Sequence, residues 1–319
     1  SARPARVILP PGTTFGAVTG SLTAHGVISS PAWFKLLAKI RRVERSVHAG
    51  VYEFPAGTTP WTALTMLARG KKAALRFTVP EGLTIQDVAA LRALVDADDQ
   101  GQLVAALAAG KLGIRADSFV AAARDSATAR ELLGMKVPSF EGFLRPETYV
   151  LPADVTARQL VRIMAESFKS EWKPAWDARL DTLNLTRLEL VTLASIVEGE
   201  ARVDAEREII AGVYRNRLRI GMALQADPTV QYAISLKRGK RKTRLFEKDY
   251  QFNSPYNTYL NPGLPPGPVN SPSRRSLEAS LYPADVRYLY FVAGPDGRHV
   301  FSRPYSEHLR AIRRIRQRG

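Results

Sequence analysis

The residues best placed for acid–base chemistry lie in LASIVEGEARVDAEREIIAGVYRNRLRIGMALQADPTVQY, residues 193–232. A nearly all-apolar segment there ends on a carboxylate, Glu198. If the segment is a helix, burial against apolar neighbours and the partial negative charge of the helix C-terminus both penalise the ionised form. A carboxyl kept protonated near neutrality is what protonation of a glycosidic oxygen requires. The residues alone leave open a solvated acid at a helix end. Further on come Gln225 and Asp227 in LQADPTV, then SPYNTYLNPGLPPGPVNSP, residues 254–272. Tyr256, Asn257, Thr258 and Tyr259 combine flat apolar faces with amide and hydroxyl groups, which suits sugars. A proline-stiffened structural loop is the alternative. Upstream, SFEGFLRPETYVLP carries Glu141, Glu147 and Tyr149. Glu141 is a candidate for the same groove, against a turn or cap role for both acids.

These side chains need elements to hold them. Arg187 to about Val197 reads as a densely apolar helix, and Asp204 to Arg219 as a second one ending at Gly221. Residues 223–273 lack a clear period, and a loop that long in a compact domain is usually functional. Residues 288–292, YLYFV, read as a buried strand, and the tail from Ser306 as a basic helix. Residues 157–182 form a helix interrupted at Pro174, and 85–135 an Ala-rich helical stretch with breaks near Gly110 and Gly134. One local pattern occurs four times: VILPPGTTFGAVTGSL, YEFPAGTTPWTALTML, FTVPEGLTIQDVAALRAL and YVLPADVTARQLVRIM. Each is a short β-type run, a Pro-centred turn, then a Thr before a helical segment. The predicted N-caps are Thr14, Thr59, Thr84 and Thr156, with Pro60 at a first helical position and Gln159 completing a capping box. Gly26 and Gly70 are predicted helix stops. The expected fold class is α+β.

Composition bounds the function. The 319 residues allow two or three domains, and 45% hydrophobic against 24% charged is an ordinary globular balance. No cysteine is present, which excludes disulfides, thiolate zinc sites and a thiol nucleophile. The four histidines, His25, His48, His299 and His308, lack metal-ligand spacing, so neither a metal nor a cofactor is expected. A net charge of +16 suits a polyanionic partner: nucleic acid, an anionic membrane surface or a wall polymer bearing carboxylates. Two basic runs, KRGKRKTR at 237–244 and RAIRRIRQRG at the C-terminus, also fit a solvated loop and helix end. Nucleic acid is disfavoured, because no basic recognition helix or aromatic–basic signature accompanies the charge. No apolar run of about eighteen residues occurs to span a bilayer.

The segments EGFLRPETY, LASIVEGEA, VYRNRLRIGMALQADPTVQY, SPYNTYLNPGLPPGPVNSP and YLYFVAGPDGRHVFS resemble, in this order, motifs of the MltG (YceG-like) family of endolytic murein transglycosylases. LPPGTT and HAGVYEFPAGTT resemble that family's N-terminal LysM-like module, so the likeness covers nearly the whole chain. It implies a LysM-like module over 1–78 and a catalytic region over 79–319, with a helical insert at about 85–135, a core at about 140–305 and a basic C-terminal helix. It implies cleavage of the β-1,4 bond between N-acetylmuramic acid and N-acetylglucosamine, leaving 1,6-anhydro ends, with Glu198 catalytic and Glu200 its rival. Gln225, Asp227, Tyr256, Asn257, Thr258 and Glu141 would line the substrate groove. The resemblance also implies a single-pass inner-membrane protein with a periplasmic catalytic region, anchored by an N-terminal helix this sequence does not include, and peptidoglycan synthases (penicillin-binding proteins) as partners. Two alternatives stay open: a non-catalytic peptidoglycan-binding scaffold, and a hydrolase using a second carboxylate such as Asp227 or Glu200.

Overall fold

A computed structural model describes residues 4–9, 12–44, 46–70, 74–96, 114–152, 155–239 and 242–317. Outside these fall the Pro10–Pro11 turn, Ala153 and Asp154, residues 97–113 of the Ala-rich stretch, and Lys240 and Arg241 of the first basic run. The chain divides into two compact units. One comprises Ser1–Phe77, Val95–Ile114 and Thr148–Thr156, the other Thr78–Leu94, Arg115–Glu147 and Ala157–Gly319. Among the described residues six short strands make three two-stranded sheets within a mainly helical chain, an α+β fold. No described helix is long and apolar enough to cross a membrane.

In the first unit, Ala5–Leu9 (β1) and Gly50–Phe54 (β2) pair antiparallel with Val7 opposite Tyr52. Between them run Phe15–Ala24 (α1) and Pro31–Arg41 (α2), and Pro60–Ala68 (α3) follows. Each helix starts on a hydroxyl that accepts a first-turn N–H: Thr14 from Ala17, Ser30 from Trp33, Thr59 from Thr62. Gly26 and Gly70 adopt φ of +67° and +64° just past α1 and α3, where a Cβ would be strained. Strand alternation turns Val7, Leu9, Tyr52 and Phe54 inward onto Val18, Leu22, Phe34 and Leu67. Ala74–Thr78 (β3) pairs with Thr148–Pro152 (β4).

The second unit holds Ile85–Asp96 (α4) as far as Leu94, Ala116–Ala123 (α5), Ser126–Leu133 (α6), Ala157–Glu171 (α7), Pro174–Leu183 (α8) and Arg187–Glu200 (α9). Arg207–Arg219 (α10), Asp227–Arg238 (α11) and Arg274–Leu281 (α12) follow, then the hairpin Tyr290–Ala293 (β5) and His299–Ser302 (β6), covered by Tyr305–Arg316 (α13). α9 is central. Its eight residues Leu190 to Val197 are all buried, and it packs on α10, α11 and α12. A helix apolar on every side is one surrounded by protein.

Two expectations need correction. Residues 223–273 are not one aperiodic loop, because α11 lies within them. Seven of its residues, from Pro228 to Ser235, are buried. The strand within YLYFV is not buried: Tyr290–Ala293 is half-exposed along its length.

Candidate active site

Glu198 sits in the last turn of α9, which starts on a capping box between Thr186 and Glu189. The loop of residues 254–272 is stitched to this helix. The Val269 N–H donates to Ser195 Oγ at 3.0 Å, and the Asn270 amide donates to the Ser195 carbonyl at 2.8 Å. Those bonds bring the start of α12 to Glu198. Ser273, the N-cap of α12, donates its N–H at 2.9 Å and its hydroxyl at 2.5 Å to Glu198 Oε2. Ser276 donates its hydroxyl to the same oxygen at 2.8 Å, and Arg207 Nη1 lies 3.2 Å away. The positive end of the α12 dipole points the same way. Oε1 accepts no hydrogen bond from any described residue, and the side chain keeps 7% exposure. The apolar pocket expected around this carboxylate is therefore corrected to a polar cradle on one oxygen, with the other left free.

Arg207 is itself fixed. Its Nη1 donates to Ser276 Oγ at 2.6 Å and its Nε to Asp204 at 3.1 Å, and Arg275 also pairs with Asp204. The turn before α4 closes the other side. Gly82 N–H donates to the Ser271 carbonyl, Ser271 N–H donates to Leu83, and a Cβ on Gly82 would lie 3.6 Å from Glu198 Cγ. Glu81 stands exposed on this turn. Partial burial first, and the negative charge of Glu198 second, hold its carboxyl above the usual range, while Arg207 and Arg275 pull it back. Arg207, Ser273, Ser276 and Glu81 were not singled out from the sequence. Only Ser273 had a local signal, as a small hydroxyl directly before a helical segment.

A second network lies past Gly199, whose missing side chain lets Pro228 approach to within 2.6 Å of where a Cβ would stand. Glu200 accepts from the Tyr214 hydroxyl at 3.0 Å. Burial first, and then Asp227, push it up to about 7. Asp227 accepts from the Tyr259 hydroxyl at 2.7 Å, and Tyr259 packs on Tyr250 with ring centroids 4.5 Å apart. Gln225 is exposed, in the left-handed region at φ 51° that a non-glycine residue rarely occupies. Its N–H is held by the Thr258 carbonyl. Tyr256 is half-buried, edge-on to Tyr232. Among the six expected groove residues, Gln225, Tyr256 and Asp227 thus keep accessible surface. The other three are buried: Asn257 at 0%, Thr258 at 1% and Glu141 at 3% exposure. Thr258 Oγ1 accepts the Ala226 N–H and shares a hydrogen bond with Thr229. Asn257 braces its own loop.

Glu141 accepts the Ile85 N–H at the start of α4 through both oxygens, the geometry of a cap. Burial pushes it up to about 8, against the opposing pull of that N–H and of the Tyr232 hydroxyl. Between the unfolded value of about 4.3 and that folded value, the native state keeps a proton that the unfolded chain releases. Its contribution to stability therefore falls as pH rises through that window. Glu141→Gln keeps the acceptor and loses the titration. Stability relative to this variant is expected to shift against the wild type from pH 5 to pH 8, as read by urea denaturation. Parallel pH profiles would show that Glu141 does not titrate there.

The YceG-like family model matches residues 7–314. The endolytic murein transglycosylase of Bacillus subtilis (strain 168) is 31% identical over 310 residues, covering 95% of this chain and 82% of the relative. That of Streptococcus pneumoniae serotype 2 (strain D39) is 29% identical over 318 residues, and this chain spans only 57% of its length. A crystal structure of a yceG-like protein from Listeria monocytogenes superposes with a TM-score of 0.58 at 28% identity, over 98% of this chain and 100% of that one. Family match, relatives and fold agree over nearly the whole sequence, and the chain belongs to the YceG-like family.

Proposed function

We propose that this chain is a lytic transglycosylase that cuts the β-1,4 bond between N-acetylmuramic acid and N-acetylglucosamine within peptidoglycan strands, leaving 1,6-anhydro ends. It is an enzyme, a lyase. The observation that carries the reading is the asymmetry of Glu198, with Oε2 filled by donors and Oε1 free. Oε1 is the oxygen that can carry a proton to the glycosidic oxygen. As C1 parts from that oxygen, Ser273, Ser276 and Arg207 stabilise the carboxylate left behind. The muramoyl C6 hydroxyl then bonds to C1, and its proton returns to Oε1. No water is consumed, and a single acid–base residue suffices because the attack is intramolecular. Gln225, Tyr256 and Asp227 supply amide, aromatic and acidic surface for the sugars. The β–α–α–β unit at the N-terminus is proposed as a LysM-like glycan-positioning module. The relatives' names support peptidoglycan as substrate and cutting within strands. Anchoring in the inner membrane, a periplasmic catalytic region and synthase partners are further parts of the proposal.

Glu81 favours a second reading, hydrolysis, in which a second carboxylate activates water. Incubating purified chain with isolated sacculi and following strand length tests the function itself. New chain ends support an enzyme, and binding without new ends supports a scaffold. The Glu81→Gln variant separates the two chemistries. Transglycosylation is expected to continue with the same products, whereas abolished cleavage would make Glu81 the base of a hydrolase.

A further inference from the structure

We propose that the outward face of α2 docks on an anionic lipid bilayer. Scattered exposed apolar side chains are normal on a protein surface, but a contiguous set is not. On α2, Trp33 is 56% exposed, Leu36 47% and Ile40 67%. At 100° per residue these three fall within an arc of about 60°, while Phe34 and Ala38 on the inner side are wholly buried in the core of the first unit. Trp61 on α3 is 49% exposed and lies beneath the Arg41 guanidinium, 3.5 Å from the ring centroid.

Charge decides what covers this stripe. Lys35 and Lys39 are exposed along one flank, Arg41 and Arg42 lie at the C-terminal end, and residues 31–42 contain no acid. Lysine is depleted in interfaces between proteins. Beside an anionic bilayer it is favoured, because the stem lies along the apolar region while the ammonium reaches the headgroups. Tryptophan and aliphatic side chains on one face with lysines beside them are the pattern of a helix lying in the plane of a membrane surface. The inference does not depend on the chemistry assigned to Glu198.

Flotation of the whole chain with vesicles tests it, using phosphatidylcholine alone and phosphatidylcholine mixed with phosphatidylglycerol. Binding is expected to the mixed vesicles and to weaken with salt. The triple variant Trp33→Ser, Leu36→Ser, Ile40→Ser keeps the net charge and is expected to lose more than about tenfold in partitioning, with its circular dichroism and melting temperature unchanged. Lys35→Gln with Lys39→Gln is expected to lose about fivefold per charge. Unchanged flotation of the triple variant would overturn the proposal, because it would put the binding in charge elsewhere. Failure of the wild type to float would overturn it too, as would a wild-type dimer that the triple variant abolishes, since a second copy would then cover the face.

Discussion

Glu198→Gln is expected to lower strand cleavage by about 10²–10⁴-fold or more, the cost of removing general acid–base catalysis, with little change in folding. The amide has the shape of the carboxyl, and its oxygen can stay at the Oε2 position, accepting from Ser273 and Ser276. Its NH₂ then occupies the free position, where it can neither deliver nor retrieve a proton. Arg207 loses one anionic partner and keeps Asp204. Initial cleavage rates read the first effect and thermal melts the second. Glu200→Gln is expected to cost far less, because Glu200 belongs to the Tyr214–Asp227 network. Activity that survives Glu198→Gln and disappears in Glu200→Gln would identify the other glutamate as the acid.

Asn257→Ala is expected to destabilise the second unit by about 3 kcal/mol or more and to lower activity through disorder of the loop. The side chain is wholly buried. Its amide donates to the Tyr250 and Phe252 carbonyls, each at 2.9 Å, and its oxygen accepts the Tyr259 N–H at 2.9 Å. Alanine strands all three groups, at about 1–3 kcal/mol for each that stays buried without a partner. Tyr259, which holds Asp227, loses its brace. Asn257→Asp keeps the acceptor for Tyr259 but sets a buried carboxylate oxygen against the Tyr250 and Phe252 carbonyls, and is expected to be at least as destabilising as alanine. Urea denaturation measures the loss. Unchanged stability with lost glycan affinity would mean that Asn257 contacts sugar instead.

Local chemistry was legible in the sequence. Thr14 and Thr59 cap helices because a hydroxyl before a helical segment needs only neighbours three residues on. The apolar run into Glu198 announced a buried helix ending on an acid, and that helix continues through Glu200. What surrounds the acid was not legible. Arg207, Ser273 and the Glu81 turn reach it through tertiary bonds such as Gly82 to Ser271 and Val269 to Ser195, which leave no periodic trace. Asn257 and Thr258 were ambiguous for a related reason. A polar residue in a Tyr-rich loop looks the same whether it faces a ligand or braces the backbone, and these two are buried.

In the proposed mechanism one carboxylate, Glu198, drives attack by the substrate's own hydroxyl. Mass spectrometry of the muropeptides released from purified sacculi tests it most directly. Products ending in 1,6-anhydro-muramic acid, one water lighter than hydrolytic products, are expected, as is their absence from a parallel Glu198→Gln digest. Reducing-end muramic acid as the main product would contradict it, because water would then be the nucleophile and a second carboxylate its base.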